Sequence, residues 1–364
     1  MRVGLIGCGN IAPVYFDAGH RFDNFRIVAC ADQDHARAEA AAALHGVPRA
    51  LDPKALLADP EIDLVLILTP PPSHADLIGA ATAAGKHVYT EKPLALDAAR
   101  GRELLGQAAR IGVTVGCAPD TVLGAGIQTA RKLIDDGWIG RPVSATAFMQ
   151  CAGHESWHPD PAFYYAPGGG PLFDMGPYYL SALVTLLGPV ESVCAMAGAA
   201  FDERVVTSAE RYGERIPVRV PTHVAGVLRF VSGAIVTLVM SFDVVGHTLP
   251  HLEIHGSAGS LRAPDPNTFG GPVLLKRRGA DAFTEMPLSH PHAVQSRGLG
   301  LAEMVDAIRA ERSPRADGDL ALHVLGCMEA LHTAARESAY VSVRDRAAQP
   351  APMPMEILDR GAMS

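Results

Sequence analysis

The chain has 364 residues, 48% hydrophobic and 19% charged, with 31 Lys+Arg against 39 Asp+Glu and a net charge of -8. That length exceeds what one core sustains and predicts two domains, while the apolar fraction excludes a disordered chain. The acidic balance argues against a nucleic-acid partner or an anionic membrane surface, and no apolar run reaches the roughly 18 residues of a membrane helix.

Met1 leads directly into a strand pattern with no signal peptide visible. Six scattered cysteines (Cys8, Cys30, Cys117, Cys151, Cys194, Cys327) form no C-x-x-C pair. They read as reduced core thiols, so a cytoplasmic protein is expected. Residues 1–120 alternate short apolar runs with alanine-rich runs, the βαβ pattern of a parallel sheet. Strands are predicted at 3–6, 27–31, 64–68, 87–89 and 113–116, and helices at 31–44, 75–84 (stopped by Gly85) and 97–111. Past Pro119 a helix at 127–136 ends at Gly137, and alternating strands follow at 143–150, 224–230, 234–242 and 252–255. Ser232-Gly233 and Gly256-Ser257-Ala258-Gly259 read as hairpin turns. Two late helices, 301–312 and 320–337, have no partner that the sequence identifies, and the proline-rich stretch from Gln349 through Pro354 predicts an extended arm or loose tail.

Gly7-Cys8-Gly9-Asn10-Ile11-Ala12 directly follows the first strand and opens the first helix. Gly7 permits a tight turn, Gly9 lets backbone N–H groups approach a pyrophosphate, and the helix N-terminus at Asn10 and Ile11 faces it. Asp32 ends the second strand, where a carboxylate takes the adenosine ribose hydroxyls; its alternative is an ordinary turn or capping aspartate. Gln33 follows rather than an arginine, which favours NAD over NADP. Thr69-Pro70-Pro71-Pro72-Ser73-His74 and Thr90-Glu91-Lys92-Pro93 also follow predicted strands. In a doubly wound sheet ligands bind outside those strand ends, so Gly9, Asp32, Pro70 and Lys92 are expected to meet in one cleft, with Thr69, His74 and Glu91 among the cofactor contacts. The expected architecture is an α/β Rossmann domain (1–120), an α+β domain with an open, mostly antiparallel sheet (121–345), and a tail (346–364).

The glycine turn, Thr-Pro-x-x-x-His, Glu-Lys-Pro, and Gly168-Gly169-Gly170 followed by Asp174-Met175-Gly176 resemble the glucose–fructose oxidoreductase/inositol dehydrogenase/rhizopine-catabolism (Gfo/Idh/MocA) family from Arg2 to about Val343. The resemblance implies a Rossmann domain, an open-faced sheet that mediates oligomerisation (a homodimer or homotetramer), and a lysine, here Lys92, that reaches the substrate hydroxyl beside the nicotinamide. Where most members read D-x-G-x-H, this chain has Tyr178 in place of the histidine. Some members resemble it in using tyrosine there, and the departure weakens the analogy to inositol dehydrogenases.

Asp174 and Tyr178 stand four apart at the start of a helical run at 179–187, so they share a face, and Pro177 is tolerable there as a first-turn residue whose N–H would lack a helical partner. A tyrosine is a weak base unless an ammonium stabilises its phenolate, which makes Tyr178 and Lys92 the expected proton-transfer pair, with Asp174 orienting Lys92 or binding a neighbouring hydroxyl. The structural alternatives are an N-cap for Asp174 and a core aromatic for Tyr178. Glu91 also reads as a local structural partner, and His74 as a nicotinamide-pocket or helix-capping residue. The loop Gly153-His154-Glu155-Ser156-Trp157-His158-Pro159-Asp160 offers Trp157 and His158 as a sugar platform; its His and Glu suggest metal ligands, but the Pro and Gly content denies a helix and no metal is expected. Asp120, with Thr121, is expected to face the substrate. The leading function is hydride transfer between NAD and a ring or secondary hydroxyl of a sugar, glycoside or polyol. The alternatives are an NAD-dependent glycosidase acting by transient oxidation and elimination, and a non-catalytic sugar sensor.

Overall fold

Short aliphatic strands shielded on both faces call for a parallel sheet under helices. In the computed structural model, which describes residues 1–355, they are β1 (Arg2–Ile6), β2 (Arg26–Ala31), β3 (Ala50–Leu51), β4 (Leu64–Ile67), β5 (His87–Thr90) and β6 (Val115–Cys117). All pair in parallel, in the order β3-β2-β1-β4-β5-β6. The helices between them are α1 (Ala12–Arg21), α2 (His35–His45), α3 (Pro53–Ala58), α4 (His74–Ala83) and α5 (Ala98–Ile111). The second helix starts at His35 rather than at 31. Ala31 closes β2, and the Asp34 carboxylate accepts from Arg37 N–H to cap α2. β3 escapes prediction because two residues carry no period.

The register sets the site. Ile6 lies beside Ala31 and Ile67, Ile67 beside Thr90, and Thr90 beside Cys117. Strands β1, β2, β4, β5 and β6 therefore end in one row, and the loops beginning at Gly7, Asp32, Leu68, Glu91 and Ala118 leave from one rim.

The second half contains α6 (Ala125–Asp135), β7 (Pro142–Gln150), α7 (Pro171–Leu187), β8 (Val190–Gly198), β9 (Glu203–Val205), β10 (Arg215–Pro217), β11 (His223–Phe230), β12 (Ile235–Ser241), β13 (Leu252–Gly256), β14 (Gly259–Ala263), β15 (Val273–Arg277), β16 (Thr284–Met286), α8 (Leu299–Arg309), α9 (Gly318–Glu337) and β17 (Val341–Ser342). Nine strands form a sheet in the order β16-β15-β14-β13-β7-β12-β11-β8-β17, antiparallel except for β7 beside β12; β9 and β10 form a separate ribbon. Period-two burial along β11 and β12 turns Val224, Leu228, Phe230, Val236, Leu238 and Met240 inward. On that face α9 packs so closely that a Cβ on Gly226 would lie 2.7 Å from Leu331 Cδ2. The other face leaves Met196, Val227 and Ile235 exposed.

The late helices find their partners here. The chain before, within and after α8 returns to the first domain: Arg21 donates to Gln295 O, Asn24 to Ala302 O, and Cys117 N to Ala316 O. Asp317 caps α9, which packs along β8, α7 and α5. The proline-rich stretch is an extended arm that is tied down. Met353 N donates to Gln128 Oε1 at 2.8 Å, and Arg315 Nε reaches Ala351 O and Pro352 O. The rest of the predicted tail, 356–364, lies outside the described residues.

Gly300 marks a close approach between α8 and the first sheet. A methyl there would run into the Tyr89 hydroxyl and lie 2.7 Å from Asp120 Cβ, both fully buried. Overpacking of this kind typically costs about 1–3 kcal/mol. Gly300→Ala is expected to lower the urea midpoint accordingly, and an unchanged midpoint would show that α8 is not seated against Tyr89.

Candidate active site

Gly7 has φ +104° and its N–H bonds to Ala31 O at 2.8 Å, so the chain turns sharply at the end of β1. The turn aims Cys8 N–H at Asp32 Oδ2 (2.9 Å), while Asp34 N–H takes Asp32 Oδ1 (3.0 Å). Asp32 is thus pinned at the tip of β2, beside the glycine turn. A Cβ on Gly9 would meet nothing within 4 Å, and Gly9 and Asn10 are exposed. Helix α1 follows with Ile11 at its N-cap position, no side-chain cap and no acidic residue in its first turn. Open space over a glycine turn, an uncapped helix N-terminus and an adjacent carboxylate together fit a dinucleotide's pyrophosphate and ribose. Arg37 Nη1 stands 3.5 Å from Asp32 Oδ1, a cation that the residues flanking Asp32 do not announce.

Several expected cofactor contacts also hold the loops. His74 is fully buried, its Nδ1 2.7 Å from Pro93 O and its Nε2 2.7 Å from Thr69 O. The N-cap position of α4 is Ser73, and His74 ties the Thr69-Pro70 loop to the Lys92-Pro93 loop. Thr69 Oγ1 accepts from Ser73 Oγ, and Pro70 is exposed on the rim. Glu91 is buried: Oε1 accepts from Tyr15 Oη (2.8 Å) and Arg297 Nη1 (3.3 Å), and Oε2 from Lys92 N–H (3.1 Å). That matches the local-partner reading of Glu91. Asp120 requires correction as a substrate contact. It is 0% exposed, and its Oδ2 accepts from Gly298 N (2.8 Å) and Gly300 N (3.1 Å), closing the start of α8. Burial pushes its carboxyl up, opposed by Arg297 and those N–H groups. Thr121 is equally buried.

Lys92 reaches from the end of β5 to α7. Its Nζ donates to Asp174 O (2.7 Å) and Asp174 Oδ1 (2.9 Å), and lies 5.5 Å from the Tyr178 ring centroid. Burial alone would lower the Lys92 pKa. The Asp174 carboxylate, with Tyr178, outweighs it and holds the group above its usual range. Burial likewise opposes ionisation of Asp174, but Lys92 and then His154 pull it down to about 2. Helix α7 begins at Pro171, so Pro177 lies inside it rather than in a first turn. A proline there returns no N–H to Phe173 and disturbs the turn in which the Asp174 carbonyl lies; that carbonyl is the one Lys92 takes. Tyr178 is 6% exposed, four residues past Asp174 as expected.

The triple glycine explains how the aromatic loop comes so near. Gly170 (φ +87°) is the N-cap of α7, and a Cβ on Gly169 would clash with Phe163 O and Tyr164 O. Residues 161–165 therefore lie directly against the helix start. The loop's other end is anchored by Glu155, whose Oε1 accepts from Tyr165 Oη (2.6 Å) and faces Arg204 Nε (3.4 Å), and by the Arg204–Asp243 ion pair. Glu155, His158 (Nδ1 accepting from Asp160 N) and His154 are engaged separately, and among the described residues no group of three or more His, Cys, Asp or Glu is arranged to hold a metal. The His154 ring centroid lies 4.0 Å from Tyr164, 4.6 Å from Phe242 and 5.3 Å from Trp157; Trp157, 61% exposed, forms the rim with His158. Burial, then Asp174, pushes the Tyr164 hydroxyl up to about 12. His154 Nε2 faces Asp174 Oδ2 at 3.5 Å. Sequence reasoning singled out neither Tyr164 nor Arg297 and read His154 only as a metal candidate. The aromatic pair Tyr164-Tyr165 ahead of the glycines was the available signal for the first; Arg297 carries none.

Known proteins match this arrangement. Residues 1–118 match the model of an oxidoreductase family with an NAD-binding Rossmann fold, and residues 127–262 that of the GFO/IDH/MocA C-terminal domain. The chain is 31% identical to inositol 2-dehydrogenase of Rhizobium meliloti over 79% of this chain and 82% of that protein. It is 27% identical to 1,5-anhydro-D-fructose reductase of Ensifer adhaerens over 87% and 91%. Among solved structures, an NAD binding oxidoreductase from Klebsiella pneumoniae superposes with a TM-score of 0.84 at 26% identity, over 94% of this chain and 99% of that one. No described helix is long and apolar enough to cross a membrane. The two family models, which together span most of the chain, and the match to inositol 2-dehydrogenase place the protein in the Gfo/Idh/MocA family of oxidoreductases.

Proposed function

We propose that the chain is an NAD-dependent dehydrogenase or reductase acting on a ring or secondary hydroxyl of an uncharged sugar, glycoside or polyol. The observation that carries this reading is the Lys92 ammonium, held by Asp174 at the rim where the glycine turn and Asp32 also emerge. When bound, the nicotinamide supplies or takes up the hydride. Lys92 has three N–H groups; Asp174 takes two and the third remains for a substrate oxygen. In the reducing direction Nζ hands a proton to that oxygen; the oxidising direction needs the amine neutral, which Asp174 opposes, so oxidation gains as pH rises. Asp174, ionised down to about 2, orients Lys92 and does not exchange protons near neutrality. Tyr178, against Lys92 on the same helix face, is the second hydroxyl partner.

Asp32 supports NAD over NADP, because a carboxylate repels a 2′-phosphate; Arg37 offsets part of that charge. Cations around the cleft already face carboxylates: Lys92 with Asp174, Arg297 with Glu91, Arg204 with Asp243, and Arg211 with Asp160. This favours a neutral substrate over a phosphorylated one, and the exposed Trp157 beside His158 suits the apolar face of a sugar ring. The relatives named for inositol and anhydrofructose chemistry agree with that class. The exposed Met196, Val227 and Ile235 face is proposed to be covered by a second copy of the chain; Ile235→Glu should then reduce the sedimenting mass.

A panel of sugars, glycosides, inositols and one sugar phosphate, each with NAD and with NADP, is expected to give 340 nm absorbance changes with the uncharged compounds and NAD. Release of an aglycone without net NADH would replace this reading with glycoside cleavage. Lys92→Met is expected to lower turnover at least about a hundredfold, and Tyr178→Phe to a comparable extent, with NADH binding by calorimetry unchanged. Near-normal rates in Lys92→Met would dispose of the proton-transfer role.

The same pair sets a stability window. The folded pKa of Asp174 is depressed from 3.8 to about 2, so its contribution is complete above the usual value and lost as pH falls towards 2. Lys92 is raised from 10.5, so its contribution is complete below that value and lost only above its folded pKa. Removing one partner of a largely buried pair typically costs about 3–5 kcal/mol. Asp174→Asn should therefore show a constant deficit in urea midpoint from about pH 5 to 9 that shrinks towards pH 2.

A further inference from the structure

The Nε2 atom of His154 is buried and has no hydrogen-bond partner. An unpaired polar atom among three aromatic rings is costly, and native structures rarely retain one without a use. The ring has little freedom to move away. Tyr164, Phe242 and Trp157 enclose it, Gly153 enters with φ +95°, and His154 O accepts from His158 N at 3.0 Å. Around it stand Asp174 on α7 with Lys92 behind it, Tyr164 and Glu155 on its own loop, Cys151 at the end of β7, Arg204 on β9 and Asp243 after β12. Glu155, Arg204 and Asp243 are committed to one another. Among the described residues, Asp174 is the group within ion-pair distance of Nε2, through the oxygen that Lys92 does not use.

We propose that His154 is a positioning residue for the hydride-transfer site: its Nε2–H holds Asp174 Oδ2, fixing the carboxylate so that Oδ1 stays on Lys92. A ring shift of about half an ångström brings the 3.5 Å contact into hydrogen-bond range. The carboxylate then lies between two donors from opposite sides, Lys92 from the first sheet and His154 from the loop after β7. Without His154 the Oδ2 side is unheld, the carboxylate turns about its bond, and the Lys92 ammonium loses its side-chain partner while keeping only the carbonyl. His154 moves no proton in this scheme; it acts through Asp174.

This inference rests on the role given to Lys92, and the test separates the two. Turnover, KM and NADH affinity are measured for His154→Phe and His154→Gln, alone and with Asp174→Asn, alongside Lys92→Met, using the best substrate of the panel. The Gln amide nitrogen falls near the position of Nε2. The expected result is a kcat about tenfold lower in His154→Phe, with KM and NADH affinity unmoved, no further loss in the Asp174→Asn background, and recovery in His154→Gln. Independently of turnover, acylation of Lys92 by an amine-reactive reagent in the cofactor-free protein, read by peptide mass spectrometry, should be several-fold faster in His154→Phe than in the wild type or His154→Gln. Equal losses of kcat in both backgrounds, or unchanged acylation, overturn the proposal. Full turnover in Lys92→Met overturns the underlying reading instead.

Discussion

An ammonium group held between the main-chain and side-chain oxygens of Asp174 is the contact on which the rest of the site depends. Neither partner is at ease alone, since burial works against the charge on both and each is rescued by the other. Lys92 belongs to the loop after β5 and Asp174 to the first turn of α7, so the pair forms only where the two sheets' elements meet. The cleft is therefore a property of the junction. A loosening of either side that left both sheets intact would still dissolve it.

Holding that junction takes a polar network buried beneath the rim. Tyr15 and Arg297 converge on Glu91, Glu91 accepts from Lys92 N–H, and Asp120 draws the start of α8 against Tyr89. His74 performs the same service one loop over, spanning Thr69 and Pro93. Glu91, His74 and Asp120 are expected from sequence to touch cofactor or substrate because they sit at strand ends, where ligands bind. Strand ends are also where polar loops must be fixed to aim anything at a ligand, and a hydrogen-bonded carboxylate or imidazole is the means. Position at the rim marks both roles alike; burial tells them apart.

The legible parts of the sequence were those with a local cause. The aliphatic run of β4, the glycine turn before α1 and the alternation in β11 and β12 each follow from spacing within a few residues, and the row of strand ends follows from parallel pairing. The start of α7 was misplaced because Pro177 suggests a first turn, whereas the helix runs through it from Pro171. Asp120 looked like a rim residue because nothing nearby reveals that residues 298–300 return to cover it. Arg297 gives no signal, and His154 only a misleading metal-ligand one, for the same reason. Their meaning lies in partners 206 residues away in one case and across a glycine-tightened loop in the other.

That loop is the one proposed to meet substrate. Gly169 and Gly170 let it press on the very turn that bears Asp174, and Glu155 with Arg204 and Asp243 braces its far end against the β9–β10 ribbon. A loop so anchored at both ends presents Tyr164, His154 and Trp157 as a fixed wall, with little ordering entropy left to lose when a ring docks on it. The wall's chemistry is amphipathic and its neighbouring charges are already paired, which suits the neutral ring proposed as substrate. On the proposed reading, redox chemistry falls to the first half of the chain and choice of substrate to the second, and Asp174 is tied to both through Lys92 and His154.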